Sequence, residues 1–171
     1  MHSPDVTANF DLPDEAATQR LGALLAPLLA PGVVVALDGD LGAGKTTLVR
    51  ALLRERGYAG SVKSPTYSLV EVYVISSLYW YHFDFYRFES PEEFHDAGLG
   101  DDFNESSICL VEWPEKAAGC VPAPDLALRF AFAGDGRRLQ VVGATERGAA
   151  CLKALISVWQ DGACSTTPAP H

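Results

Sequence analysis

Apolar positions recur along this chain with two different periods, and the order of the periods predicts a mixed α/β protein. In residues 14–30, Leu21, Leu24, Leu25 and Leu28 fall at helical spacing behind Asp14 and Glu15, which suit a first turn, and Pro31-Gly32 ends the segment. Val33–Leu37 is a short, unbroken apolar run, the pattern of a strand buried on both faces of a parallel sheet. A glycine-rich turn follows. From Lys45 the period is helical again, with Leu48, Ala51 and Leu52 on one face and Arg50 and Arg54 on another, until Gly57. Tyr67–Ile75 and Leu78–Tyr86, rich in aromatic and β-branched residues, read as a hairpin across Ser76-Ser77. Ser90-Pro91-Glu92-Glu93 reads as a helix start, with Ser90 as N-cap and Glu93 closing a capping box. Ile108–Val111 predicts a second buried strand ending at Glu112-Trp113-Pro114. Leu126–Phe132 and Arg138–Val142 form a further hairpin around Gly134-Asp135-Gly136, and a last helix runs from about Thr145 to Gln160.

The 171 residues suffice for one core, so a single domain is expected over residues 1–161, with 162–171 a disordered tail. Apolar runs stop far short of the roughly 20 residues needed to cross a bilayer. The first residues carry no cationic stretch leading into an apolar one, so no secretory signal is read and a cytoplasmic protein is expected. Cys109, Cys120, Cys151 and Cys164 are scattered, with no C-x-x-C pair. They are expected to be reduced, with Cys109 in a strand core. The net charge of −9 argues against non-specific nucleic-acid binding by the chain alone. That charge is also localised: residues 84–115 hold ten acids against Arg87 alone, while acids and bases balance elsewhere. Such a run is by default a solvated acidic face; here it also suits steering of a basic partner surface.

The segment Gly39-Asp40-Leu41-Gly42-Ala43-Gly44-Lys45-Thr46 fits G-x-x-x-x-G-K-[ST] and lies between the predicted strand and helix, the context in which that loop binds phosphate. Glycines let successive N–H groups face one anion, and the helix N-terminus adds positive partial charge. Lys45 would reach the β- and γ-phosphates of a nucleotide, and the Thr46 hydroxyl would ligate Mg²⁺. This predicts a P-loop NTPase-like mixed sheet, with central parallel strands and antiparallel hairpins, flanked by helices. A metal-holding carboxylate is also required, and Glu112 and Asp84, each at a predicted strand end, are the two candidates. Thr66, in Ser64-Pro65-Thr66-Tyr67-Ser68-Leu69, lies where a switch loop would sense the γ-phosphate or the metal. An ordinary turn into a strand would look the same.

Together, GDLGAGKTT (Gly39–Thr47), KSPTYSL (Lys63–Leu69), YHFDFYR (Tyr81–Arg87) and LVEWP (Leu110–Pro114) resemble the TsaE, or YjeE-type, P-loop ATPase family in order, spacing and wording. The resemblance implies a slow ATPase activated by the proteins TsaB and TsaD. The complex of the three serves threonylcarbamoyladenosine (t6A) modification of ANN-decoding tRNAs, and the chain would meet tRNA only through that complex. By match, Gly42, Ala43, Gly44, Lys45, Thr46 and Thr47 would bind the phosphates of ATP, and Thr46 and Glu112 would hold Mg²⁺. Asp84 would serve hydrolysis or coupling, Thr66 would be a switch residue and Trp113 would sit beside the site. Glu15 and Arg137 would bracket the nucleoside. Strand geometry adds a reason to prefer Glu112 as metal ligand: a doubly buried strand should place its terminal carboxylate more rigidly than a hairpin edge, and octahedral Mg²⁺ tolerates little misplacement.

Two other functions fit a P-loop, because fold does not fix chemistry. One is a small-molecule kinase, but Arg87 is the only basic residue between Lys63 and Lys116, so an arginine-bearing lid is hard to find. The other is a nucleotide-dependent adapter in which binding matters and turnover is incidental. ATP is preferred to GTP because neither Asn9 nor Asn104 begins an N-K-x-D guanine signature.

Overall fold

The computed structural model describes residues 5–40 and 42–164. In chain order these form β1 (Val6–Leu12), α1 (Glu15–Leu25), β2 (Val34–Asp38), α2 (Lys45–Glu55), β3 (Val70–Ile75), β4 (Leu78–Asp84), α3 (Glu93–Asp96), β5 (Ser107–Glu112), β6 (Leu126–Ala133), β7 (Gly136–Gly143) and α4 (Glu146–Cys164), with short 3₁₀ turns between. The strands make one sheet in the order β1-β7-β6-β2-β5-β4-β3. Strands β6, β2, β5 and β4 are mutually parallel, while β1, β7 and β3 pair antiparallel with their neighbours. The expected mixed sheet with central parallel strands is therefore observed.

Alternation along the central strands feeds two cores. Val35 and Leu37 of β2, Ile108 and Leu110 of β5 and Trp80 of β4 join Leu21, Leu25, Leu48, Leu52 and Leu155 in the larger one, beneath α1, α2 and α4. Val34, Cys109, Val111 and Phe83 point the other way, into a smaller core closed by Phe85, Phe88, Phe94 and Leu99 from the segment between β4 and β5. Glu112 and Asp84 continue the rows that face the larger core, so their positions on α2's side of the sheet follow from the pleat.

Several points differ from what the sequence predicts. Helix α1 ends at Leu25 and the chain continues as a 3₁₀ turn at Ala26–Leu28, because Pro27 cannot donate to an α-helical ladder. Ser90 does not cap α3 with its side chain, although the Glu93 carboxylate does accept the Glu89 and Ser90 N–H groups, the reverse half of the expected box. Strand β1 was not anticipated, though Val6, Ala8, Phe10 and Leu12 alternate with polar residues. Finally, β4 is an interior strand and not an edge: β3 lies on one side and β5 on the other, so Asp84 is as well supported as Glu112. Helix α4 runs to Cys164, beyond the expected Gln160, and the tail from Ser165 lies outside the described residues.

Candidate nucleotide site

The site forms where β2, β5 and β4 end together, the crevice at strand C-termini where α/β sheets bind ligands. Register places the Cα of Glu112 opposite Leu37 of β2 on one side and opposite Asp84 of β4 on the other. Between Asp38 and α2 the chain turns through glycines in left-handed conformations, Gly42 at φ 82° and Gly44 at φ 111°. A β-carbon at Gly42 would meet nothing within 4 Å, so the loop leaves an open hollow there. Helix α2 has no side-chain cap at its N-terminus. Its first N–H groups therefore lack intrahelical partners and carry the partial charge that draws anions.

A cavity of about 590 Å³ opens on this loop, lined by Gly42, Gly44, Lys45, Thr46 and Thr47, by Ser64 and Thr66 from the loop after α2, and by Asp84, Tyr86, Glu112 and Trp113. Lys45 Nζ donates to the Gly39 carbonyl at 2.6 Å and lies 3.3 Å from Glu112 Oε1. The other oxygen of Glu112 is 2.7 Å from His82 Nε2. Asp84 Oδ1 accepts the Tyr86 N–H at 2.9 Å. The neighbouring carboxylates are driven in opposite directions. Burial acts to raise Glu112, but its hydrogen bond and ion pairing with His82 and the Lys45 charge outweigh it and hold the group below its ordinary value. At Asp84 burial dominates and the negative charge of Glu112 adds to it, so that carboxyl is raised despite the Tyr86 N–H.

Trp113 follows β5 in a left-handed conformation, φ 58°, unusual for a bulky side chain. Its ring lies 5.1 Å from that of Tyr86 and 5.5 Å from Lys45 Nζ. Thr66 Oγ1 is 3.2 Å from Ser64 Oγ, and the next residue, Tyr67, is 81% exposed, with the Arg87 guanidinium 4.1 Å from its ring centre. A second cavity of about 320 Å³ shares Gly42, Gly44 and Thr47 with the first and is otherwise lined by Leu12, Asp14, Glu15, Thr18, Asp135, Gly136 and Arg137. Arg137 reaches across from β7, donating from Nη2 to the Gly42 carbonyl at 3.0 Å.

The expected residues thus divide between two adjoining hollows: Lys45, Thr46, Thr66, Asp84, Glu112 and Trp113 in one, Glu15 and Arg137 in the other. Ala43 stands apart. Its methyl is buried in the larger core, and its N–H donates to Asp40. His82 and Tyr86 were not singled out in advance. A histidine within an aromatic run reads as core, and only the pairing of β4 with β5 brings it to Glu112.

The donors fit a hard divalent cation. The Thr46 hydroxyl and two adjacent carboxylates bring oxygen donors to one chamber, and Mg²⁺ is commonly held by one or two carboxylates with substrate phosphates and water. Among the described residues no cluster of three or more His, Cys, Asp or Glu forms a self-sufficient metal cage.

Comparison with known proteins gives the family and the fold. The family model described as "Threonylcarbamoyl adenosine biosynthesis protein TsaE" matches residues 12–139. The tRNA threonylcarbamoyladenosine biosynthesis protein TsaE of Haemophilus influenzae is 44% identical over 142 residues, covering 80% of this chain and 90% of that protein. The protein of the same name from Bacillus subtilis is 37% identical over 121 residues, 71% of this chain and 75% of its own. The crystal structure of Bacillus subtilis YdiB superposes with a TM-score of 0.78 at 26% identity, covering 91% of this chain and 98% of that one.

Proposed function

The chain belongs to the TsaE family, and from that premise we propose that it is a Mg²⁺-dependent ATPase, slow alone and activated by TsaB and TsaD, that serves t6A modification of ANN-decoding tRNAs. The observation that carries this reading is the convergence on one chamber of a phosphate loop, its lysine and two strand-end carboxylates. ATP would lie with its phosphates on Gly42, Gly44, Lys45, Thr46 and Thr47 and its nucleoside toward Glu15 and Arg137, in the smaller cavity. Ala43, with its N–H engaged in the turn, would shape the loop more than donate to phosphate.

Thr46 and Glu112 would hold the metal, whose charge when bound offsets that of the phosphates. Lys45, now resting on Gly39 and Glu112, would turn to the phosphates and free Glu112 Oε1. Asp84, raised where Glu112 is lowered, suits a group that orients water or meets a partner, because environments that push paired carboxyls apart give them separate roles. Thr66 would report the terminal phosphate to the exposed loop around Tyr67. The protein is expected to act in the cytoplasm and to meet tRNA through its partners. Among the described residues no helix is long and apolar enough to cross a membrane.

The test is ATP turnover by the purified chain with and without TsaB, TsaD and tRNA. Stimulation by the partners is expected. Phosphoryl transfer to a metabolite would favour a kinase, and modification without ATP consumption by this chain would favour an adapter.

A further inference from the structure

We propose that the phosphate chamber receives an arginine from a partner protein, its guanidinium lodging between Asp84 and the rings of Tyr86 and Trp113, beside the terminal phosphate. The inference rests on the ATPase reading and names what the site takes from its partner.

The chamber is short of positive charge. Among the described residues, Asp40, Asp84 and Glu112 line it against Lys45 alone, which is already engaged by Gly39 and Glu112. All nine arginines of the chain lie among the described residues, and none lines this chamber. Arg137 donates to Gly42 from the adjoining cavity, and Arg87 lies on Tyr67. A P-loop enzyme whose own chain supplies no arginine stabilises the transferring phosphoryl group poorly, and a partner's arginine relieves that lack.

Asp84 is built to accept such a group. It is 6% exposed and borders the chamber, its Oδ1 accepts one backbone N–H, and no described residue donates to its Oδ2. A buried carboxylate with one bonded oxygen calls for a cation. The walls beside it already attract cations, Lys45 at Trp113 and Lys116 5.9 Å from the Tyr86 ring centre. Tyr86 is 55% exposed, so this wall is reached from outside the molecule. A carboxylate flanked by aromatic rings favours guanidinium over ammonium, because the planar fork binds both oxygens and stacks. The acidic segment 84–115 would favour approach of a basic surface.

The probe is N-acetylarginine amide, with N-acetyllysine amide at equal ionic strength as comparison, added to the nucleotide-free chain in chelator while Trp113 emission is followed. Trp113→Phe supplies the background from the other tryptophans. The arginine amide is expected to saturate the signal about tenfold more tightly than the lysine amide. Asp84→Asn should abolish the response, and the arginine amide alone should speed ATP turnover by the wild-type chain several-fold. Equal responses to the two amides, or an undiminished response in Asp84→Asn, would overturn the proposal. ATP turnover without arginine-selective binding would overturn it and leave the ATPase reading intact. Selective binding by a chain that turns over no ATP under any condition would uphold the guanidinium pocket and reject the ATPase reading.

Discussion

Lys45, Glu112 and His82 form a chain of contacts in which each side chain holds the next, and the consequences of breaking it differ by residue. Lys45→Ala removes the only cation among the described residues that line the chamber and is expected to lower ATP affinity at least tenfold and to abolish turnover; calorimetric titration and phosphate release check this. Unchanged affinity would remove the P-loop assignment. His82 aims Glu112 from behind, so His82→Leu should leave metal-free nucleotide binding intact while weakening the Mg²⁺ dependence about tenfold, as loss of outer-shell partners does. Metal titration of nucleotide affinity reads this directly. Asp84 gives the opposite kind of effect. A carboxyl whose folded pKa is raised leaves the folded state relatively less stable as pH climbs from its ordinary value of 3.8 through the folded value, and the penalty is full above that window. Asp84→Asn is therefore expected to raise Tm by about 2–4 °C at pH 7 while turnover is lost, and to show no gain below pH ~3.8. Thermal melts at the two pH values decide it. Glu112, lowered, has the reverse sign: its contribution is present above 4.5 and fades as pH falls through its folded value.

Among the elements, one side chain ties three together. Asp125, just before β6, accepts the Val34 N–H of β2 at 2.9 Å through Oδ2 and the Thr145 hydroxyl at 2.7 Å through Oδ1, while Thr145 accepts the Gly148 N–H at the start of α4. Gly148 packs against the Asp125 carbonyl so closely that no β-carbon fits. Asp125→Ala leaves the Val34 N–H and the Thr145 hydroxyl without this acceptor and should cost about 2–3 kcal/mol, measured by urea unfolding. None of this is visible in the sequence, where Asp125 is an ordinary loop acid. The phosphate loop was legible because its chemistry is written in consecutive residues, and both hairpins because Ser76-Ser77 and Gly134-Asp135 interrupt apolar alternation. Sheet order was not legible. Periodicity reports which residues share a face but not which strand lies beside which, so β4 was taken for an edge and the reach of His82 to Glu112 went unread. Strand β1 was missed because four alternating apolar residues, two of them the weakly patterned Val6 and Ala8, give too short a signal to separate from coil.

Over the whole molecule the charge is divided, with the acids of residues 84–115 lying between and around the two catalytic candidates. Glu92 and Asp96 are exposed, whereas Glu93 also secures the start of α3 through Glu89 and Ser90. A clean test of steering therefore reverses Glu92 and Asp96 only. Glu92→Lys with Asp96→Lys should weaken association with partners by about tenfold at low salt and much less at high salt. Equal affinity at low ionic strength would show that the acids merely solvate this face. At the opposite end of the sheet, β1 pairs with β7 residue for residue, and its last pair joins Leu12 to Arg137, the arginine that reaches the phosphate loop. Most of β1 precedes the stretch that the family model matches. Side chains alternate between faces, so a one-residue slip of β1 along β7 would turn Phe10 and Leu12 out of the core and displace Asp14 and Glu15, which line the smaller cavity. The first strand thus works as a ruler for a site it enters only through Leu12, and an insertion or deletion between Val6 and Asp11 is, in effect, a mutation of the candidate nucleotide pocket.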